Sequence, residues 1–181
     1  MHFPREQVDL VDDVEVTTVF CTSCCPSTLP IKKLKGTEPA ESLDLSNKGL
    51  SFASAIVIAS LIGVNGGLTA LDLSSNRLND EGISAVCEAI QSNKETKLAS
   101  LNMGANRTGP MGAKSVAAMV AVTGGLTSLD LSRNQLCGIW TDGNGQKHGT
   151  YTAEGITAIA DALRVNDGLT EVWETCQPTA S

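Results

Sequence analysis

Apolar and polar residues alternate in a nine-residue pattern that returns four times along the chain. In its clearest copy, residues 70–78, Leu71 and Leu73 flank Asp72, and Leu78 closes the pattern two residues after Asn76. Side chains alternate between the faces of a strand, and Asn side chains bond nearby backbone groups at turns. The pattern therefore predicts a short strand with a leucine face in the core, a turn at the Asn, and a return to the core. The first leucines of the copies are Leu43, Leu71, Leu101 and Leu129.

The copies start 28, 30 and 28 residues apart. A near-constant interval of this size predicts a stack of repeated units, because one unit cannot bury its own apolar face. Apolar residues recur at helical spacing between the copies, which predicts helices at residues 52–64, 80–91, 110–122 and 152–164. In the third copy Thr108 replaces the closing leucine, and a partial fifth unit at 168–174 places Val172 where the first leucine belongs.

The fourth unit carries an insertion at residues 137–151, so that 43 residues separate Leu129 from Val172. Asp142-Gly143 and Asn144-Gly145 are strong signals for a tight hairpin turn. They predict a small β-hairpin between residues 139–140 and 146–151. Long irregular insertions in compact domains usually carry function. The candidate binding residues of the insertion are Trp140, Asp142, His148 and Tyr151.

The four Leu-x-Leu copies with their closing Asn and Leu resemble the leucine-rich repeat family. The interval and the helical second halves resemble its ribonuclease-inhibitor-like class, in which every strand is followed by a helix. The resemblance covers roughly residues 41–174. It implies an α/β fold, a right-handed solenoid with parallel strands on the concave face and helices on the convex face. We expect a repeat domain at 41–181 with the insertion at 137–151, and an N-terminal cap or tail at 1–40.

The residue between the two leucines of each copy points away from the core. In register order these residues form a mostly acidic row on the concave face, with Trp173 at the matching place in the last unit. One interpretation is a recognition stripe for a basic or polar protein, with Trp173 as an anchor. The other is that each residue simply solvates an exposed strand. We favour this second interpretation for each residue taken singly, and the stripe as a whole is a better candidate than any one member. The row comprises Asp44, Asp72, Asn102, Asp130 and Trp173.

The net charge and the length of the apolar runs limit the kinds of partner that the chain is expected to bind. The charge of −7 at pH 7 argues against nucleic acid and anionic membrane surfaces, which demand a basic footprint. It permits a basic protein partner. The longest mostly apolar run, residues 53–64, is 12 residues long, whereas a membrane span needs about 20. We therefore expect another protein as the partner and no membrane span.

The N-terminal segment does not fit the repeat. It lacks the basic start and apolar middle of a secretion signal, so we expect a cytoplasmic or other intracellular protein with reduced thiols. Residues 14–20 are rich in β-branched side chains and predict a strand. Three states stay open for Cys21, Cys24 and Cys25: reduced thiols, which we favour, a disulfide, or half of a zinc site.

The sequence predicts no catalytic, cofactor or metal site. His2 and His148 lack the adjacent Ser or Cys that nucleophilic catalysis needs, and His148, in a glycine-rich segment, is expected to be exposed. Asp142 opens a segment like a calcium loop, but Lys147 stands where that loop needs Gly and Ala153 where it needs Glu. The expected function is protein–protein interaction, as a scaffold or accessory subunit of a larger complex. The alternative is a regulator of an enzyme, such as a GTPase-activating module of the Ran GTPase activator type. Those activators form one branch of the family that the chain resembles, and they have more repeats than this sequence.

Overall fold

The computed structural model describes residues 29–174. Each predicted helix begins and ends within two residues of the observed one, whereas the strand predicted at 14–20 and the cysteines at 21, 24 and 25 lie outside the described residues. The elements in chain order are α1 (Ile31–Lys35), β1 (Ser42–Asp44), α2 (Phe52–Ile62), β2 (Ala70–Asp72), α3 (Asn79–Ser92), β3 (Ser100–Asn102), α4 (Pro110–Val120), β4 (Ser128–Asp130), β5 (Ile139–Thr141), β6 (Lys147–Gly149), α5 (Glu154–Leu163) and β7 (Glu171–Trp173).

The main sheet has five parallel strands in the order β1-β2-β3-β4-β7. Its register pairs Leu43 with Leu71, Leu71 with Leu101, Leu101 with Leu129, and Leu129 with Val172. The prediction that the repeated leucines lie on neighbouring parallel strands is therefore confirmed. Helices α2 to α5 pack side by side as a second layer, and α1 packs on α2.

The core lies between the sheet and the helices. Both leucine positions of Leu-x-Leu are buried in every copy, with Met103 as the second apolar residue in the third. The closing position is at most 1% exposed in all four copies, where it is occupied by Leu50, Leu78, Thr108 and Leu136. Leu34 of α1 is also buried in this core. Each layer thus buries the apolar face that its neighbour offers.

In every copy, the turn after the strand has a residue with left-handed backbone conformation at the same position. Its φ lies between 52° and 57° at Asn47, Ser75, Ala105 and Arg133. Asn76 and Asn134 follow this turn and bond backbone groups of their own copy and of the preceding one. In the first copy Asn47 occupies the left-handed turn itself, since Asn tolerates this conformation. The Asn of the first copy therefore has a different role from the others.

A second row of asparagines lies where the helices lead into the next strand. The side-chain nitrogen of Asn65 donates to the carbonyls of Lys33 and Leu34, and its oxygen accepts from the N–H groups of Gly67 and Leu68. Asn93 and Asn166 repeat this arrangement towards the ends of α2 and α4. These side chains satisfy carbonyls that a helix end leaves unpaired, and they join neighbouring units just before β2, β3 and β7.

Two further findings bear on the sequence predictions. None of the helices within residues 29–174 is long and apolar enough to cross a membrane. Cys87 is a free, buried thiol, but Cys137 is disulfide-bonded. The expectation of reduced thiols thus holds for Cys87 and is wrong for Cys137.

Candidate protein-interaction surface

The middle residues of the Leu-x-Leu copies form one row across the sheet, which we call the concave stripe. It comprises Asp44, Asp72, Asn102, Asp130 and Trp173, which follow one another in strand register. Neighbouring strands are about 4.8 Å apart. Three residues of the stripe are partly buried, whereas Asp44 and Trp173 are exposed. The structure therefore brings together the five residues that the sequence placed on this face.

The polar members of the stripe are held in place by their own turns. In Asp44, Asp72, Asn102 and Asp130, Oδ1 accepts a hydrogen bond of 2.8–3.0 Å from the backbone N–H two residues later. This arrangement is an Asx turn, which both Asp and Asn form. One oxygen of each of these four residues is thus structural.

Hydrogen bonding also affects the charge of the stripe. The hydroxyl and the backbone N–H of Ser46 hold the pKa of Asp44 below its usual range. The Nδ2 atom of Asn102 donates to Oδ2 of Asp72 over 3.1 Å. Asn102 on β3 thus places a neutral amide between Asp72 on β2 and Asp130 on β4. Neither carboxylate faces another one across β3, which reduces repulsion because like charges opposite each other destabilise a sheet.

The insertion contains an antiparallel hairpin of β5 and β6, in which Trp140 pairs with His148. The two rings stack with centroids 4.4 Å apart and planes at 22°. His148 Nε2 lies 3.0 Å from Oδ2 of Asp142. At the base of the hairpin, a Cβ atom on Gly149 would collide with the carbonyl oxygen of Gly138. Glycine at this position lets the two strands approach closely.

The structure corrects the expected exposure of His148 and shows how Asp142 is bonded. His148 is half-buried rather than exposed, with 39% of its side chain accessible. Asp142 is bonded within the hairpin, since Oδ1 accepts the N–H groups of Asn144 and Gln146. Its pKa is lowered by the hydrogen bond with His148 and by these two N–H groups. Tyr151 is 61% exposed and does not join the cluster.

The hairpin also forms one wall of an open groove of about 840 Å³. The other wall consists of the starts of α3 and α4 and the turns that precede them. Sequence reasoning missed this groove. An alignment of the units would have found part of it, because residues just before and after each closing position must share one edge of the stack. The groove is lined by Asp80, Glu81, Arg107, Gln135, Trp140 and Asp142, among others.

Two observations concern nucleophilic chemistry and metal binding. Burial raises the pKa of the Cys87 thiol to about 12, so this thiol is not the thiolate that acts as a nucleophile. Within residues 29–174 no group of three His, Cys, Asp or Glu side chains is placed to hold a metal ion. Two candidate interaction surfaces are the concave stripe and the groove beside the hairpin.

A parallel sheet built from repeated Leu-x-Leu strands, backed by one helix per unit, defines a leucine-rich repeat solenoid. Comparison with known families agrees with this class. Two family models, both described as leucine-rich repeat, match residues 68–87 and 125–144. The chain is a leucine-rich repeat protein.

Among curated proteins, the chain is similar to NACHT, LRR and PYD domains-containing protein 12 of Homo sapiens. The two are 31% identical over an alignment of 140 residues that covers 70% of this chain and 13% of the human protein. The Mus musculus protein of the same name is 36% identical over 103 residues, 56% of this chain and 10% of the mouse protein. The chain therefore spans about a tenth of the length of these relatives.

Two solved structures share the fold at low sequence identity. The structure titled leiomodin-1 actin-binding site 2 matches with a TM-score of 0.65 and 16% identity, covering 82% of this chain and 78% of that one. The tropomodulin C-terminal domain of Caenorhabditis elegans also has a TM-score of 0.65, with 12% identity and 82% coverage of each chain. Identity this low supports the shared fold alone.

Proposed function

We propose that this chain is a protein-interaction module, a scaffold or accessory subunit that docks into a larger complex and performs no catalysis of its own. The observation that carries the proposal is the concave stripe, in which four polar residues and Trp173 lie in one row on neighbouring strands. Repeat solenoids use such extended concave faces for binding. Leucine-rich repeat domains in general mediate protein–protein interaction.

The Asx turns support this role because they fix the polar side chains before any partner arrives. Ordering a side chain at an interface costs roughly 0.5–1.5 kcal/mol. Asp72 and Asp130 each have one oxygen already bonded to the backbone, so little of this cost remains for them. Trp173, 49% exposed at the end of the stripe, belongs to the residue type that most often dominates binding energy. The acidic stripe favours a partner with a basic surface.

Substitution of Asp by Asn offers a sharp test. Asn102 shows that Asn keeps the Asx turn at this position, so the double variant Asp72→Asn, Asp130→Asn removes two charges and preserves the backbone. The partner is first identified by affinity capture with the intact chain and mass spectrometry, and its affinity for purified variants is then measured by calorimetry. We expect the double variant to weaken binding by about tenfold and Trp173→Ala by about thirtyfold.

The matched control is Glu88→Gln with Asp161→Asn, two exposed carboxylates on the helical layer. This control removes the same charge and should leave the affinity unchanged. An equal loss of affinity in both double variants would mean that binding responds to net charge alone. Normal affinity in the stripe variants would mean that the concave stripe is not part of the interface. We also propose that the protein is intracellular. The affinity capture is run with and without reductant, because Cys137 is disulfide-bonded.

The GTPase-activating alternative stays a prediction that the same capture addresses. If the partner is a GTPase, its rate of hydrolysis with and without the chain separates a regulator from a scaffold. Asp130→Asn is a suitable variant for that assay. Asn106 is not, because it is completely buried and bonds carbonyls of two units, so its removal would act through folding.

A further inference from the structure

The groove beside the hairpin is separate from the concave stripe. It lies at the edge of the stack where strands lead into helices, between the starts of α3 and α4 on one side and the hairpin on the other. Its volume of about 840 Å³ lies within the range of roughly 300–1,000 Å³ typical of ligand pockets. The groove is open, so it can accept a segment of another chain as well as a single side chain.

The groups that line the groove differ in how far they are already bonded. Asp80 accepts the N–H of Gly109, and Asp142 is bonded within the hairpin. Within residues 29–174, the side chains of Glu81 and Arg107 are engaged in no hydrogen bond or ion pair. A hydrogen bond that a carboxylate accepts does not remove its charge. The groove therefore has three carboxylates against one guanidinium.

Trp140 adds an aromatic surface to this acidic groove. Its ring is 43% exposed, and the stacked His148 ring fixes its orientation from one side. A cation beside an indole ring and carboxylates gains both cation–π attraction and charge-assisted hydrogen bonds. We propose that the groove binds an arginine or lysine side chain on a basic segment of a protein partner. This inference rests on the proposed interaction function and adds a second, distinct contact to it.

An acidic segment is the competing occupant. Arg107 and the N-terminal ends of α3 and α4 would attract an anion, whereas the three carboxylates would repel it. The numbers of charges favour the cation. The two occupants predict opposite effects for charge reversal at Arg107, which makes this residue the most informative one to change. Its φ of 61° already lies in the left-handed region, so Arg107→Glu adds no new backbone strain.

The test uses two blocked hexapeptides as probes, one alternating Gly with Arg and the other alternating Gly with Glu. Binding to the intact chain is measured by calorimetry at low salt. We expect the arginine peptide to bind with saturation and the glutamate peptide not to bind. Glu81→Lys should weaken the arginine peptide by about tenfold and Arg107→Glu should strengthen it by a similar factor. Trp140→Ala should weaken it by about fivefold.

Glu88→Lys is the matched control, since Glu88 is exposed on the same helix as Glu81 but does not line the groove. A similar loss in Glu88→Lys and Glu81→Lys would mean that the peptide responds to net charge alone, and the inference would fall. Preferential binding of the glutamate peptide, or weaker arginine binding in Arg107→Glu, would overturn it in favour of an anion. Either failure leaves the concave-stripe test untouched, because Asp72, Asp130 and Trp173 lie outside the groove.

Discussion

At the residue scale, short amide and carboxylate side chains join the units of this protein. The side chain of Asn76 accepts two N–H groups of the preceding unit and donates to carbonyls of both units. The stripe residues use the same chemistry, with one oxygen bonded to the turn that follows. Buried polar groups cost free energy unless they are bonded. An Asn that satisfies several backbone groups at once therefore stabilises the seam between two leucine layers.

Asn76→Ala tests this role. Asn76 is 5% exposed, and its loss leaves buried N–H and carbonyl groups of two units without partners. With about 1–3 kcal/mol for each unsatisfied buried group, we expect the free energy of unfolding to fall by roughly 3 kcal/mol or more. Urea unfolding followed by far-UV circular dichroism measures the change. Asn144→Ala, at the exposed tip of the hairpin, should cost less than about 0.5 kcal/mol. Equal costs would contradict a seam role for Asn76.

At the element scale, the hairpin is the part of the fold that depends most on its side chains. β5 and β6 have three residues each, and a two-stranded hairpin is marginally stable by itself. The stacked rings of Trp140 and His148 and the bonded carboxylate of Asp142 supply the additional contacts. The stability of this wall of the groove therefore depends on the contacts among Trp140, His148 and Asp142.

The pKa of Asp142 gives the hairpin a predictable response to acid. Hydrogen bonds with His148, Gln146 and Asn144 lower that pKa in the folded state. A group with a depressed folded pKa stabilises the fold above its unfolded pKa, about 4 for Asp, and this stabilisation is lost as the pH falls through the folded value. We expect the hairpin to loosen in that acidic range before the repeat core does.

Trp140 fluorescence in a Trp173→Phe background reports this loosening, since the chain has two Trp residues. Asp142→Asn retains an acceptor for the turn but does not titrate. In this variant the acid transition of the Trp140 signal should disappear, while far-UV circular dichroism of the repeats stays as in the parent. A transition that persists unchanged in Asp142→Asn would assign the response to another group.

At the scale of the whole molecule, each unit contacts mainly its neighbours. The strands pair in the order of the units, and each helix packs on the next one along the chain. Stability in such a stack is approximately a sum of unit terms and interface terms. A residue in a unit that has a neighbouring unit on each side should therefore contribute more to the free energy of unfolding than a residue on the last described strand.

Leu101→Ala and Val172→Ala test this dependence on position. Leu101 is 1% exposed and lies on β3 between two strands, so its truncation should cost about 3 kcal/mol. Val172 is partly exposed on β7, and its truncation should cost about 1 kcal/mol. Both values come from denaturant unfolding with the slope monitored. Similar costs would mean that β7 is as firmly packed as the centre of the stack.

The sequence by itself determined the repeat, the strand register, the helix positions and the concave stripe. These features follow from periodicity, because residues at the same place in each unit must stack on one another. Even Thr108, at a position where the other units have Leu, is buried as the pattern predicts. The Asp-Gly and Asn-Gly pairs likewise indicated a hairpin, since a tight turn is a local property of the chain.

Only the tertiary structure decided what lies between the units. It showed that Asp142 bonds His148, that Trp140 stacks on the same His, and that the hairpin faces Glu81 across a groove. It also revealed the second asparagine row, which begins at Asn65. These contacts join side chains whose relative positions the periodic pattern does not fix. Their geometry depends on how the inserted residues and the loops pack, and the free energy of that packing is a property of the folded chain as a whole.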